Sequence, residues 1–328
     1  MTDVAPATAR APEPVTVQDT KYAAVKHGCG LLDVSDRGKL ALTGTEAKEF
    51  LHGQVTNDVN ALAPGSGCYA AFLTHKGKMR GDLRILDLGH ELFLDCERGV
   101  LQALFTLVNR YKLGRDVELH KRTLEHGLLS LVGPRSDEVV RAADLPQSEH
   151  ASVAGDIADA RITLVRTWAG IDVICDATDT TRVKEALEAD GAVPISDTAV
   201  EVLRAEYGRP RYGVDLDESV IPQEAGLNER AVSFTKGCYV GQETVARLFY
   251  KGKPNRHLRT LVLSAPVPTG VRVVHGEREV GVLGTSVVSP THGPIALALI
   301  RREAQAGDTV LVGDDGVTAT VRDRPFEP

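Results

Sequence analysis

Residues Gly38–Val55 read GKLALTGTEAKEFLHGQV, and this stretch has an echo ninety residues on. GKLALTG (Gly38–Gly44) alternates as a strand does, and TEAKEFLHGQV (Thr45–Val55) takes helical spacing. LLSLVGP (Leu128–Pro134) is again a strand ending near glycine, and RSDEVVRAAD (Arg135–Asp144) follows as a helix. Each unit continues in the same way. DLRILDLGHELFLDC then ERGVLQALFTLVNRY, and ARITLVRTWAGIDVICD then ATDTTRVKEALEAD, both spell strand, turn, strand, helix. Gly89 and Gly170 mark the two tight turns. The expectation is an α+β protein of two related units, each a small sheet with helices on one face.

From His257 onward the pattern changes. LRTLVLS, VRVVHG, REVGVLGTSVVS, IALALIRRE, DTVLVG and VTATVRD are short β-branched runs separated by glycine and proline. That spacing predicts a small C-terminal β-barrel or sandwich. GVLGTS sits between strands with no helix after it, so it is not a phosphate loop. The expected boundaries are a disordered tail over 1–14, a first unit over 15–125, a second over 126–253, with the domains interleaved, and the β-rich part over 257–328. YKGKPNR is read as a basic linker.

The 328 residues are enough for two or three domains, and 42% hydrophobic with 25% charged is ordinary for a globular chain. Thirty-eight basic against 45 acidic residues give −7, which argues against non-specific nucleic-acid binding but leaves room for a local basic pocket. No run of about 18 apolar residues spans a membrane. The start shows no basic-then-apolar signal pattern, so a cytoplasmic monomer is expected. Five cysteines, at 29, 68, 96, 175 and 238, are far apart. An odd count without any CxxC pair argues against a disulfide framework or a one-chain metal centre.

Four stretches could carry chemistry. TNDVNAL (Thr56–Leu62) follows the first helix and is either a structural turn or part of a site. HKGKMRGDLRI (His75–Ile85) places Asp82 at a strand start behind three basic residues, as a charged hairpin tip or a functional cluster. EVLRAEYGRPRYGVDLDE (Glu201–Glu218) ends a helix near Gly208 and gathers Glu206, Tyr207, Arg209, Arg211 and Tyr212. One carboxylate there could take two parallel hydrogen bonds from a flat heterocycle; the bland reading is a surface salt-bridge patch.

KGCYVGQETVAR (Lys236–Arg247) is the fourth. TVARLF has helical period, so Cys238 falls just before a helix N-terminus, with Lys236 two residues away. Either Cys238 is a functional thiol or it is a buried cysteine in a glycine-flanked turn. No histidine is near in sequence, so a Cys–His pair has no support from the sequence.

This last stretch resembles the signature Lys-Gly-Cys-aromatic-x-Gly-Gln-Glu-x-x-x-Arg of the YgfZ family, folate-binding proteins that support iron–sulfur cluster assembly or repair. LLDVSDRGKLALTGTEAKEFLHGQVTNDV and LRAEYGRPRYGVDLDESVIPQEAGL are similar to the glycine cleavage T-protein, an aminomethyltransferase related to that family. The resemblance implies a T-protein-like ring of domains with a C-terminal β-barrel, tetrahydrofolate or a one-carbon derivative as cofactor, and iron–sulfur client enzymes or cluster-assembly proteins as partners. It implies Cys238 as the essential thiol, with Lys236 beside it. Glu206 matches the glutamate that holds the pterin ring. Asp82 falls where T-proteins carry an Asp-Asp pair that includes their catalytic acid; here the pair reads Gly81-Asp82. Asn57, Tyr69, Arg209, Tyr212, Gln242 and Arg247 are the further expected folate-pocket residues. The alternative activity is a folate-dependent aminomethyltransferase or demethylase that uses Asp82.

Overall fold

The computed structural model describes residues 15–16, 19–141, 143–323 and 325–326; the tail expected over 1–14 lies outside the described residues. Two antiparallel sheets share one strand order. In the first, Ser66–Leu73, Met79–Asp87, Leu92–Cys96, Gly38–Thr43 and Glu118–Lys121 lie side by side. In the second, Ser152–Ile157, Ala160–Thr167, Gly170–Asp176, His126–Val132 and Gly30–Asp33 take the corresponding places. A short parallel strand, Val193–Pro194, is added at the edge. The echo in the sequence is thus a repeat of topology: each quoted strand pairs antiparallel with the second strand of its own hairpin. The boundary read at 125/126 does not divide the sheets, because Gly30–Asp33 pairs with Leu129–Val132.

Helical spacing explains how each sheet is covered. Leu101–Tyr111 turns Leu104, Leu107 and Val108 inward, spaced i, i+3, i+4, against Leu40, Leu94 and Phe50. Thr180–Ala189 does the same with Val183 and Leu187 against Leu129, Leu131 and Val173. Between the sheets Leu86 and Phe93 meet Leu128, Val165 and Ile174. With both faces covered, Gly38–Thr43 is almost wholly buried and reads as a continuous apolar run.

All six C-terminal runs form strands: Arg256–Leu263, Arg272–His275, Arg278–Ser289, Gly293–Arg301, Thr309–Val312 and Val317–Arg322. Pairing of Arg278–Ser289 with Gly293–Arg301 closes them into a six-stranded barrel. GVLGTS lies inside one strand, bent by an irregularity between Leu283 and Ser286. Helix Asp197–Glu206 joins the barrel to the rest, packing Ala199, Val202 and Leu203 with Tyr22, Val287 and Leu297. Asp215 fastens that joint: it accepts from Arg204 Nη1 at 2.7 Å, Arg211 N at 2.8 Å and Thr285 N at 2.7 Å.

Candidate functional site

Between the two sheets and the helix Asp197–Glu206 is a cavity of about 610 Å³. Its sheet-side wall is built by alternation along Ser66–Leu73. Cys68 points into the first core, and the next residue, Tyr69, faces the cavity. Asp82, on the neighbouring strand, also lines it.

Tyr69 Oη donates to Asp82 Oδ2 at 2.6 Å, the one side-chain hydrogen bond Asp82 receives among the described residues. Burial pushes the Asp82 carboxyl up to about 6, and the Tyr69 hydrogen bond pulls the other way. The Tyr69 hydroxyl is raised well above its ordinary value by the same burial and by the carboxylate beside it. The sequence expectation of Asp82 at a strand start, gathered with three bases, needs correction. It is the fourth residue of Met79–Asp87 and is buried, whereas Lys76 is exposed and Lys78 reaches Ser219 O. Lys76 and Lys78 lie in the turn that precedes the strand and not on it.

A second wall is cationic. Arg230 Cζ lies 5.1 Å from the Tyr69 ring centre, and Arg209 Cζ lies 5.3 Å from the ring of Trp168, the chain's single tryptophan. Both guanidiniums face one carboxylate oxygen, Glu149 Oε1, at 3.6 and 3.7 Å. Arg84 pairs with Asp172 at 2.6 Å and Asp95 at 3.0 Å. Burial, followed by Arg84, Arg230 and Arg209, holds His150 down at about 3, so it stays neutral. Trp168, Arg84, Glu149, His150 and Arg230 escaped the sequence reading. Trp168 carried a signal, a lone tryptophan in a two-residue hairpin turn.

Asn57 and Tyr212 belong to the surroundings of this wall. Asn57 Nδ2 donates to the carbonyls of Tyr69 at 2.9 Å and Arg230 at 3.3 Å, so it clamps the two backbones whose side chains stack. Tyr212 lines the cavity and its hydroxyl reaches Met79 O at 3.4 Å. Arg211 is taken by Glu201 at 2.7 Å.

Glu206 does not line the cavity. It is 1% exposed, and its Oε1 accepts from Tyr22 Oη at 2.7 Å and Ser289 Oγ at 2.6 Å. Its Oε2 has no hydrogen-bond partner among the described residues and stands 3.7 Å from Lys26 Nζ. The helix ends at Glu206, with Gly208 at φ +61, as the sequence indicated.

The KGCYVGQETVAR stretch forms a separate surface feature. Lys236 turns inward, and its ammonium donates to the carbonyls of His52, Val55 (2.7 Å) and Asn57 (3.0 Å). Burial pulls it down to about 8, leaving it charged at neutral pH. It therefore serves the backbone after helix Ala47–His52 rather than Cys238. Tyr239 is buried with Leu73, Met79 and Val245. Gly241 has φ +85, and a Cβ there would stand 2.5 Å from Thr74 O, so only glycine lets the loop rest on the hairpin Thr74–Lys78. Helix Gln242–Lys251 follows; Arg247 on it is exposed, and neither Gln242 nor Arg247 lines the cavity. Cys238 is exposed, alone among the five cysteines. Tyr69 faces the cavity, and Cys68 on the other face of the strand lies toward Lys236, its thiol pushed to about 12 by burial.

Two repeated sheets, a closed six-stranded barrel and a central cavity define an aminomethyltransferase-like architecture. The chain belongs to the GCVT family: residues 15–236 match its GCVT N-terminal domain. Among curated relatives, it is 28% identical over 326 residues to a chloroplastic protein of Arabidopsis thaliana that carries a transferase name, covering 94% of this chain and 73% of the relative. It is 25% identical over 307 residues to an aminomethyltransferase of Staphylococcus carnosus, covering 89% and 84%. The glycine cleavage system aminomethyltransferase T of Bartonella henselae superposes with a TM-score of 0.84 at 23% identity, over 94% of this chain and 89% of that one; at that identity the likeness is one of fold. The T-protein-like fold expected from the sequence is present, barrel included.

Proposed function

We propose that this chain is a tetrahydrofolate-binding protein of the YgfZ type. In this reading it supports the assembly or repair of iron–sulfur clusters in client enzymes of the cytoplasm, with Cys238 as its working thiol. The observation that carries the reading is how the KGCYVGQE loop spends its residues. Lys236, Tyr239 and Gly241 are all committed to packing, while the Cys238 side chain is presented outward. A loop fixed on a rigid hairpin is a suitable mount for a reactive group. The cavity suits tetrahydrofolate. Tyr69 and Trp168 offer aromatic faces, Asp82 a buried carboxylate, and Arg209 and Arg230 hold buried N–H groups without acceptors among the described residues. When bound, tetrahydrofolate would supply a carrier for a one-carbon unit. Complementation tests the thiol: in a deletion strain, the Cys238→Ala chain should fail to restore iron–sulfur enzyme activity. Full restoration would remove Cys238 from the mechanism. Calorimetry with tetrahydrofolate tests the cavity.

A second reading is favoured by Asp82, a folate-dependent aminomethyltransferase or demethylase. A carboxylate buried against Tyr69 and raised to about 6 can balance positive charge developing on a transferred one-carbon unit, or move a proton near neutral pH. Purified protein would then transfer a one-carbon unit from an aminomethylated lipoyl partner or an N-methyl donor to tetrahydrofolate, and Asp82→Asn would abolish it. Absence of turnover with either donor would sink this version.

A further inference from the structure

Helix Gln242–Lys251 fully buries one side chain, Val245, and its far end is aromatic. Phe249 is 46% exposed and Tyr250 67%. Phe249 stacks on Phe234, with ring centres 3.7 Å apart and planes 15° from parallel, and Tyr250 meets Phe249 edge-on at 5.0 Å. Single exposed apolar side chains need no explanation, but three rings in one contact, two of them facing water, mark a surface that something else covers. The stack also locates the thiol. Phe234 and Phe249 bracket the KGCYVGQE loop in sequence and touch in space. Cys238 follows Phe234 by four residues, so their Cα atoms are at most about 14 Å apart. Tyr239 and Gly241 hold the loop down, so the exposed thiol and the aromatic ledge share one mount.

Charge around the ledge is of one sign. Thr244–Thr260 holds five basic residues and no acid, in a chain with 45 acids. Arg256 and Arg259 are answered by Glu224 and Asp323, each at 2.9 Å. Arg247, Lys251 and Lys253 are exposed and have no carboxylate partner among the described residues. Lys251 also sits at the helix C-terminus, where a cation is favoured, but Arg247 lies in mid-helix and Lys253 beyond the end. By helical spacing Arg247, Tyr250 and Lys251 share the outward face, opposite Val245. Aromatic rings and arginine are what protein interfaces collect, and a rim of cations selects an acidic counterpart. A single-stranded nucleic acid also seeks rings and cations. Here one face of Phe249 is already covered by Phe234 and the chain as a whole carries −7, so an acidic protein surface is the better match.

We propose that this ledge is the docking face for a partner protein with an acidic surface. An apolar side chain of the partner seats against Phe249 and Tyr250, its carboxylates meet Arg247, Lys251 and Lys253, and the docked partner lies over Cys238. The proposal rests on the thiol reading above and deepens it by naming the face through which a client reaches the thiol.

Complementation with the full chain in the deletion strain, read as iron–sulfur enzyme activity, tests it. The double variant Lys251→Glu, Lys253→Glu should restore about a tenth of the wild-type activity or less, while its melting temperature stays within about 2 °C. Lys251→Arg with Lys253→Arg, which keeps the charge, should restore as the wild type does. Tyr250→Ala should fall about tenfold, the loss expected of an aromatic anchor. Full restoration by the charge-reversed chain, in a strain where Cys238→Ala fails, overturns the docking face and leaves the thiol reading standing. A loss that the arginine pair shares, or that follows a fall in melting temperature, overturns the assignment of charge. Binding of a twelve-nucleotide polyuridylate at physiological salt, read by fluorescence anisotropy and lost in the charge-reversed chain, overturns the protein partner in favour of a nucleic acid. A wild type that is dimeric by gel filtration and monomeric as Tyr250→Ala gives the ledge to a second copy and overturns the proposal too. Full restoration by Cys238→Ala overturns the thiol reading, and the docking face with it.

Discussion

The hydroxyl of Tyr69 sits 2.6 Å from Asp82 Oδ2, across two adjacent strands and two residues off register, since Asp82 lies opposite Ala71. This diagonal pair sets the proton affinity of the cavity. Asp82 is raised from 3.8 to about 6, because burial outweighs the hydrogen bond. The folded state therefore holds a proton between those two values that the unfolded chain has released. Stability from this group falls as pH rises from about 4 to about 6 and is flat above, by up to about 3 kcal/mol. Asp82→Asn should remove that slope, read as urea midpoints across pH 4 to 7. An unchanged slope would show that Asp82 does not carry the proton. Tyr69→Phe deletes a bond to the ionised form and should move the titration higher.

Lys236 is predicted to be structural and Cys238 not. Lys236→Met leaves three carbonyls unsatisfied and should lower stability by about 2–4 kcal/mol. Arginine should rescue poorly, since its flat fork cannot meet three converging carbonyls as an ammonium does. Cys238→Ala should change stability by less than about 0.5 kcal/mol, as befits an exposed side chain. Thermal unfolding of both variants separates the roles. A Cys238→Ala chain as unstable as Lys236→Met would mean that the thiol is part of the packing.

The thiols should react very unequally. Burial raises Cys29 and Cys175, and drives Cys68 and Cys96 to about 12, so all four stay protonated and shielded. A soluble alkylating reagent at neutral pH should modify Cys238 alone, with the remaining four following after denaturation. Mass mapping that found Cys68 labelled in the native protein would contradict the packing of the Ser66–Leu73 strand.

Gly241→Ala should be costly in a way that Gly270→Ala is not. Both have φ +85, but a Cβ at 241 meets Thr74 O, Leu73 and Gly77, whereas the space at 270 is open. The open site bears only the backbone penalty of about 1–2 kcal/mol. The closed one must also lift the KGCYVG loop off its hairpin. Equal unfolding midpoints for the two variants would show that the loop does not depend on that contact.

Much of the fold was legible because it repeats. Strand period, turn glycines and helix spacing recur at Gly38 and Leu128, and the six C-terminal runs each became a strand. The exchange of Gly30–Asp33 into the second sheet was not legible, since pairing over a hundred residues leaves no local trace. In the site, Asp82, Tyr69, Arg209 and Tyr212 do line one cavity. Arg230 was invisible, because its role comes from Asn57 holding two distant backbones together. Lys236 was read as a cation for Cys238 because the two are close in sequence. Direction decided otherwise, and direction is a property of the folded loop.

Glu206 offers the sharpest separation of resemblance from geometry. The resemblance makes it the anchor of a pterin ring. In the fold its Oε1 already accepts from Tyr22 and Ser289, the group is buried, and Phe326 N donates to its backbone carbonyl. Tyr22 is raised to about 12 chiefly by burial, so it remains a donor to the carboxylate at any ordinary pH. A residue with these partners joins the helix Asp19–His27, which carries Tyr22, to the Asp197–Glu206 helix and the barrel. Glu206→Gln places an amide donor where Lys26 stands 3.7 Å from Oε2, and should lower stability by about 1–3 kcal/mol. Glu206→Ala, which strands Tyr22 and Ser289, should lower it further. Tetrahydrofolate affinity of the folded Gln variant should stay within about twofold of wild type. A pterin anchor behaves in the opposite way, losing affinity by tenfold or more while the melting temperature holds. Paired calorimetry and thermal unfolding on that one variant decide between the two roles.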